Sequence, residues 1–207
     1  MPAMRFVEQL NTQIGHEFAA HQQYVACAVF YDALTMPQMA GFFYAQALEE
    51  RDHAMMMIKY LVDQDAPALV PGVSAPQADF PDVVTPVELA LEQERRVTAQ
   101  INELTRIARE ENDFASDQFM QWFVKEQVEE VATMSALVAV VRRSRDNVEA
   151  IEGYVQREQR RTSTDLTATG HRRRLGSRSA GPTSARSQAG CSGWSAVESR
   201  SLSFAIS

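Results

Sequence analysis

The 207-residue chain has little cysteine, no long apolar run and a deficit of basic residues. Its two cysteines, Cys27 and Cys191, are too few for a disulfide framework or a four-thiolate metal site. No apolar stretch approaches the roughly 18 residues of a membrane span, which excludes a helical integral membrane protein. The first residues, MPAMRFVEQLNTQ, hold no apolar core of a secretory leader, so the expected compartment is the cytoplasm. The 20 Lys and Arg against 27 Asp and Glu leave a net charge of −7, which disfavours general nucleic-acid binding. What remains is a chain that is 45% apolar in composition, enough for one sizeable domain with a core of its own.

The charge is unevenly spread. Residues 1–157 carry 12 basic against 24 acidic side chains, whereas residues 158–207 carry 8 against 3 together with eleven serines and five glycines. The expected organisation is therefore a domain over 1–157 and a basic Ser/Arg/Gly-rich tail over 158–207. The tail has no apolar period, and disorder is expected for it.

Within 1–157 apolar residues recur in alternating steps of three and four, the period of a helix, and no alternating strand pattern occurs. A first helix is expected from about Met4 to Asp32. Thr35-Met36-Pro37 breaks it, and Pro37 opens a second helix that runs to about Asp63. Pro67, Pro71, Gly72, Pro76 and Pro81 keep the next stretch out of helix. Thr85-Pro86-Val87-Glu88 then reads as an N-cap, a first-turn proline and a capping-box glutamate. The third helix runs to about Glu111, a turn follows at Asn112-Asp113, and the fourth runs to about Arg145. A short fifth helix, to about Gln156, presents Val148, Ile151 and Val155 on one side; being marginal alone, it is expected to pack against neighbouring subunits. Four helices each about 40 Å long, with short links inside each pair and one linker of about 20 residues between pairs, predict an all-α four-helix bundle with a single long crossover.

Each inward stripe carries a carboxylate at mid-length. The first reads Leu10, Ile14, Glu17, His21, Tyr24, Ala28, Tyr31; the second Met39, Phe43, Gln46, Glu50, His53, Met57, Tyr60; the third Val87, Ala90, Glu94, Val97, Ile101, Leu104, Ala108; the fourth Met120, Phe123, Gln127, Glu130, Met134, Leu137, Val141. An unpaired buried carboxylate costs several kcal/mol or takes up a proton, and four facing one another repel. The stripes offer no lysine or arginine. Two divalent cations would balance four glutamates, and carboxylates with one imidazole, His53 three residues after Glu50, suit iron or manganese. A lone Glu-x-x-His is common on a solvated face; four coincident interruptions are not.

At this point the sequence resembles the prokaryotic non-haem ferritins, and those of actinobacteria most in character. The residues that carry the resemblance are NTQIGHEFAAHQQYVA at 11–26, EERDH at 49–53, EQE at 92–94 and QFMQWFVKEQVEEV at 118–131. The resemblance covers about residues 5–157 and not the tail. It implies an intrasubunit di-iron ferroxidase centre and a hollow homo-oligomer of 24 subunits that stores ferric mineral, with Fe(II) oxidised to Fe(III) by O2 or H2O2. Carried over, one iron sits on Glu17, Glu50 and His53 and a second on Glu50, Glu94 and Glu130, with Glu50 bridging and Gln127 close by. A third site uses Glu49, Glu126 and Glu129 and shares Glu130. Tyr24 and Trp122 match aromatic residues beside the centre, and Tyr24 is a candidate electron donor.

Related bacterioferritins have a second Glu-x-x-His on the fourth helix, where this chain has Gln127-x-x-Glu130, and a haem-ligating methionine after the bridging glutamate, where it has Arg51. Haem is therefore not expected, and the second iron, with fewer firm ligands, is expected to bind more weakly. Rival readings are another di-iron oxidoreductase or a helical scaffold whose metal is only structural. A rubrerythrin-type peroxidase would add a Cys-x-x-Cys module, which is absent. The charge reversal of the tail motivates a partner-directed role for it.

Overall fold

The computed structural model describes residues 1–175, with side chains described through residue 161. Five helices follow in order: α1 (Met4–Ala33), α2 (Pro37–Asp63), α3 (Thr85–Glu110), α4 (Phe114–Arg143) and α5 (Val148–Leu175). The first four lie within one to two residues of the ends expected from periodicity and breakers.

Three helix ends share one device. The amide of Met36 bonds to Tyr31 O at 3.0 Å, that of Ala66 to Leu61 O at 2.9 Å and that of Asp113 to Ala108 O at 2.8 Å, each a six-to-one closure. The residue before each of these amides is left-handed: Thr35 at φ 59°, Asp65 at 52° and Asn112 at 54°. These turns use no glycine, which is why glycine does not mark them in the sequence.

The start of α3 departs from the capping box expected at Thr85. Asp82 takes the role: its Oδ1 accepts from Val84 N at 3.0 Å, Thr85 N at 2.8 Å and Thr85 Oγ1 at 2.8 Å. Thr85 is thus a donor to the cap, and the helix begins one residue earlier than its proline suggests. At α4, Asp113 accepts from Ser116 N at 3.1 Å in the ordinary way.

Cross-chain bonds give the helix directions. Ala3 N bonds to Asp113 Oδ2 and Arg5 pairs with Glu110, both at 3.0 Å, so the start of α1 lies by the end of α3. At the other end Tyr31 Oη donates to Val83 O at 2.7 Å. α1 therefore runs antiparallel to α3; it also runs antiparallel to α2, with Tyr44 reaching Asp32 across the short link at 2.9 Å. It follows that α2 and α3 are parallel. The crossover accomplishes this by running alongside α1. Asn11 donates to Pro67 O at 2.9 Å and accepts from Leu69 N at 2.7 Å. Gln23 donates to Gln77 O at 2.8 Å and accepts from Gln77 N at 2.9 Å. Phe30 packs on Phe80 with ring centroids 5.1 Å apart. At Gly15 a Cβ would stand 3.2 Å from the Pro71 ring, so the absent side chain lets the linker lie close.

The compact bundle unit spans Met1–Val155. Its apolar core comes in two clusters. One holds residues 24–31 of α1, 39–47 of α2, 87–90 of α3 and 134–141 of α4; the other holds 6–14, 57–61, 97–108 and 120–123 of the same helices. On all four helices the gap between clusters falls at the carboxylate-bearing turn.

The fifth helix differs from its expectation in two ways. It is longer, reaching Leu175; the stretch after Arg157 meets no glycine before Gly170, and an Arg161–Glu158 pair one turn apart supports it. Its apolar side does not wait for other subunits: Ile151 and Val155 are buried in the first cluster of this same chain. Glu152 beside them accepts from Gln38 N at 2.8 Å and Met39 N at 2.9 Å, capping α2 from 113 residues away, where a carboxylate meets the positive end of the helix dipole. The unit that begins at Gln156 is described only as the continuation of α5 to Leu175. Cys191 and residues 176–207 lie outside the described residues, as do the expected disorder and partner role of that stretch. The remaining cysteine, Cys27, is buried, and burial pushes its thiol up to about 11.

Candidate metal centre

Every residue of the four central stripes faces inward except His21 and Tyr60, which are half-buried. Tyr60 stacks on Phe119 and bonds Ser116. His21 is turned to the α1–α2 seam, its Nδ1 2.6 Å from Ala47 O. In the polar band between the two apolar clusters stand Glu17 (1% exposed), Glu50 (2%), Glu94 (0%) and Glu130 (6%), with His53 and Gln127 also buried.

Ligand atoms of Glu17, Glu50 and His53 all lie within 4.8 Å of one another, a separation one cation can span. His53 follows Glu50 by three residues, and its Nδ1 stands 3.4 Å from Glu50 Oε2. The imidazole is fixed from α4, whose Trp122 and Phe123 rings meet it edge-on at 5.5 and 5.7 Å. Among the described residues no lysine or arginine reaches the four central glutamates; the His53 imidazole beside Glu50 is the basic side chain within 4.0 Å of them.

The remaining predicted ligands are joined to this trio through hydrogen bonds and charge. Tyr24 Oη donates to Glu94 Oε1. Gln127 lies within hydrogen-bonding reach of Glu94, and its Oε1 accepts from Thr98 Oγ1 at 2.9 Å. Thr98 bonds back to Glu94 O at 2.8 Å, so α3 holds α4's amide in place. Gln46 donates to Glu49 and lies within hydrogen-bonding reach of Glu130.

Every central carboxyl is shifted the same way. Burial pushes Glu17 well above the usual carboxylate range, and Glu50's charge adds to it. Burial and then Glu94 do the same to Glu50. Glu94 is raised by burial against the bonds from Tyr24 and Gln127. Glu130 is raised well above its ordinary value by burial, then by Glu49 and Glu94. Without cations, burial and mutual repulsion drive the cluster toward taking up protons, the response expected of dry like charges. Yet Glu17 Oε2, Glu50 Oε2 and Glu94 Oε2 are buried with no hydrogen-bond partner. On Glu17 and Glu94, whose other oxygens are held by Gln13 and Tyr24, a bare buried oxygen fits a cation as the missing partner.

The expected third-site residues differ in burial. Glu49 is half-buried and raised by burial, with Glu126's charge among the other contributors; Glu126 is half-buried as well. Glu129 is exposed and pairs with Lys125 at 3.5 Å one turn away. Among neighbours that stripe-reading did not single out are Gln13, wholly buried against Glu17, and Thr98. Gln13 precedes Glu17 by four residues, the spacing that puts two side chains on one helix face, and that signal was present in the sequence.

The sequence profile of the ferritin family, described as a ferritin-like domain, matches residues 7–144. The chain belongs to the ferritin family. Ferritin BfrB of Mycolicibacterium smegmatis is 48% identical over 164 residues, 79% of this chain and 91% of that protein. The bacterial non-heme ferritin of Staphylococcus aureus strain MRSA252 is 36% identical over 154 residues, 74% of this chain and 93% of its own. Among solved structures, an open-pore ferritin from the hyperthermophilic archaeon Archaeoglobus fulgidus superposes with a TM-score of 0.72 at 29% identity, covering 75% of this chain and 96% of the other. In this ferritin the profile match ends at residue 144, before the basic C-terminal stretch. No helix among the described residues is long and apolar enough to cross a membrane.

Proposed function

We propose that this ferritin stores iron and oxidises it on the way in, taking Fe(II) as substrate at the centre of the bundle. The observation that carries the proposal is the buried cluster of Glu17, Glu50 and His53 within 4.8 Å, with unpartnered carboxylate oxygens in a band that no lysine or arginine reaches among the described residues. One Fe(II) is held by Glu17, Glu50 and His53, a second by Glu50, Glu94 and Glu130 with Gln127 beside it. Each Fe(II) gives up one electron. Both pass to O2, which takes two protons and leaves as H2O2, or to H2O2, which takes two protons and leaves as two waters. The carboxylates stabilise the extra positive charge as it forms. Tyr24, whose hydroxyl is bound to Glu94, is placed to supply an electron or steady that ligand. The second ion, with no imidazole, binds more weakly and leaves after oxidation.

Fe(III) then collects as mineral inside a shell of identical subunits, 24 in number, in the cytoplasm. The names of the relatives support storage, and the archaeal neighbour, described as an open-pore ferritin, supports an assembly. A third iron at Glu49, Glu126 and Glu129, with Glu130 shared, is a further part of the proposal; Glu129 stands at its exposed edge, 3.5 Å from Lys125.

Light scattering after size exclusion, on protein given Fe(II) in air, tests storage and assembly together. A large shell that elutes with its iron is expected, with O2 uptake faster than in buffer alone. Uptake that survives Glu17→Ala together with His53→Ala would point to a helical scaffold whose metal is structural.

A further inference from the structure

We propose that Gln13 is a positioning residue for this site: it occupies one oxygen of Glu17 and so presents that ligand to the metal through the other oxygen alone. The inference rests on the two-iron reading above and deepens it.

Gln13 is 0% exposed on the buried face of α1, next to Ile14 and one turn from Leu10. A buried amide is tolerated only where its polar atoms are engaged. Here Nε2 donates to Glu17 Oε1 at 2.8 Å, and Oε1 stands 3.4 Å from His16 Nδ1. The orientation has a chemical reason. A ligating carboxylate can only accept, so the amide nitrogen is the end that faces it. The consequence is read directly at Glu17: Oε1 is taken, and Oε2 is buried and bare.

The same arrangement recurs at the other half of the site. Tyr24 donates to Glu94 Oε1, and Glu94 Oε2 is buried and bare. Both holders project from α1, Gln13 four residues before Glu17 and Tyr24 seven after it. One helix thus contributes a ligand and also fixes how two ligands are offered. A carboxylate with one oxygen engaged binds a cation through a single oxygen instead of chelating it, and its donor strength is reduced by the charge-assisted bond. The ion on Glu17, Glu50 and His53 accordingly keeps a coordination position free for water or an oxidant, which a chelating Glu17 would fill.

Co(II) is the probe, because its visible absorption weakens as coordination number rises, and it can be read without iron oxidation. Wild-type protein, Gln13→Met, Gln13→Asn and His53→Ala are titrated without oxygen, the last to identify which equivalent belongs to this half of the site. Gln13→Met fills the space without an amide; Gln13→Asn keeps the amide one methylene short of Glu17. The expected result is that both variants weaken and shift the bands of the equivalent that His53→Ala removes, while the other equivalent keeps its spectrum. A packing role alone would lower the melting temperature and leave the bands unchanged. Wild-type bands in both variants would overturn the inference, whereas a wild-type protein that takes up no Co(II) would overturn the metal-site reading itself.

Discussion

Glu17→Gln keeps the shape of a buried side chain and removes its charge, so its effect on stability should change sign with metal. Without metal, Glu17 is 1% exposed, beside Glu50, with one oxygen unpartnered. Replacing such a group by a neutral one of the same volume is worth about 1–3 kcal/mol of stabilisation, and Gln13 can still donate to the new amide oxygen. A carboxyl whose pKa is raised by folding stays protonated in the native state after the unfolded chain has released its proton. Native stability therefore falls as pH rises from the unfolded carboxylate value, about 4.3, up to the raised one. The advantage of glutamine is then absent near pH 4 and grows toward neutrality. With a divalent ion at about 100 times its dissociation constant, wild type gains about 2.7 kcal/mol, which the variant forfeits in large part. At about 2–4 °C per kcal/mol for a domain of this size, the two melting curves should cross over on adding Co(II). The assay is thermal unfolding of chelator-stripped and Co(II)-loaded protein at pH 7 and at pH 4, at one fixed protein concentration because assembly couples to stability. A variant less stable than wild type in the stripped state at pH 7, or an equal rise for both proteins on adding metal, would refute the argument.

Loading the site should expel protons, since Glu17, Glu50, Glu94 and Glu130 are all raised by burial and mutual repulsion; calorimetry in buffers of different ionisation enthalpy should show net release and affinity that increases with pH. Asp82→Ala should cost about 1 kcal/mol in denaturant unfolding, because its Oδ1 alone satisfies three donors at the start of α3, whereas Thr85→Val should cost less. Ile151→Ala should cost about 2–5 kcal/mol, measured in the same way, because Ile151 is wholly buried in its own chain; a loss below about 0.5 kcal/mol, the level of an ordinary surface change, would return α5 to the subunit interface.

The parts of this fold that follow from a single period were legible in the sequence. A stripe of seven residues at three-four spacing identifies a buried face whatever it packs against, and a carboxylate within it declares itself by being out of place. That is enough to find Glu17, Glu50, Glu94 and Glu130, and each lies near the middle of its helix, in the gap between the two apolar clusters. What periodicity cannot give is contact between residues far apart in the chain. Glu152 caps α2 across 113 residues, and nothing local distinguishes it from any solvated glutamate. Asp82 displaces Thr85 as cap through bonds to residues only two and three positions on, a local choice between two capable side chains that periodicity does not decide. Ile151 and Val155 mark an apolar side that sequence alone assigns equally well to a neighbour or to the same bundle. The polar holders fall between these cases. Gln13 stands at i−4 from Glu17, close enough to be predicted, but glutamine is an ordinary helix residue and becomes informative only when its exposure is known to be 0%. Ligands are conspicuous because burying a charge is costly. The groups that aim them are neutral, so they leave little trace in the sequence, and each must be found from where its hydrogen bonds end.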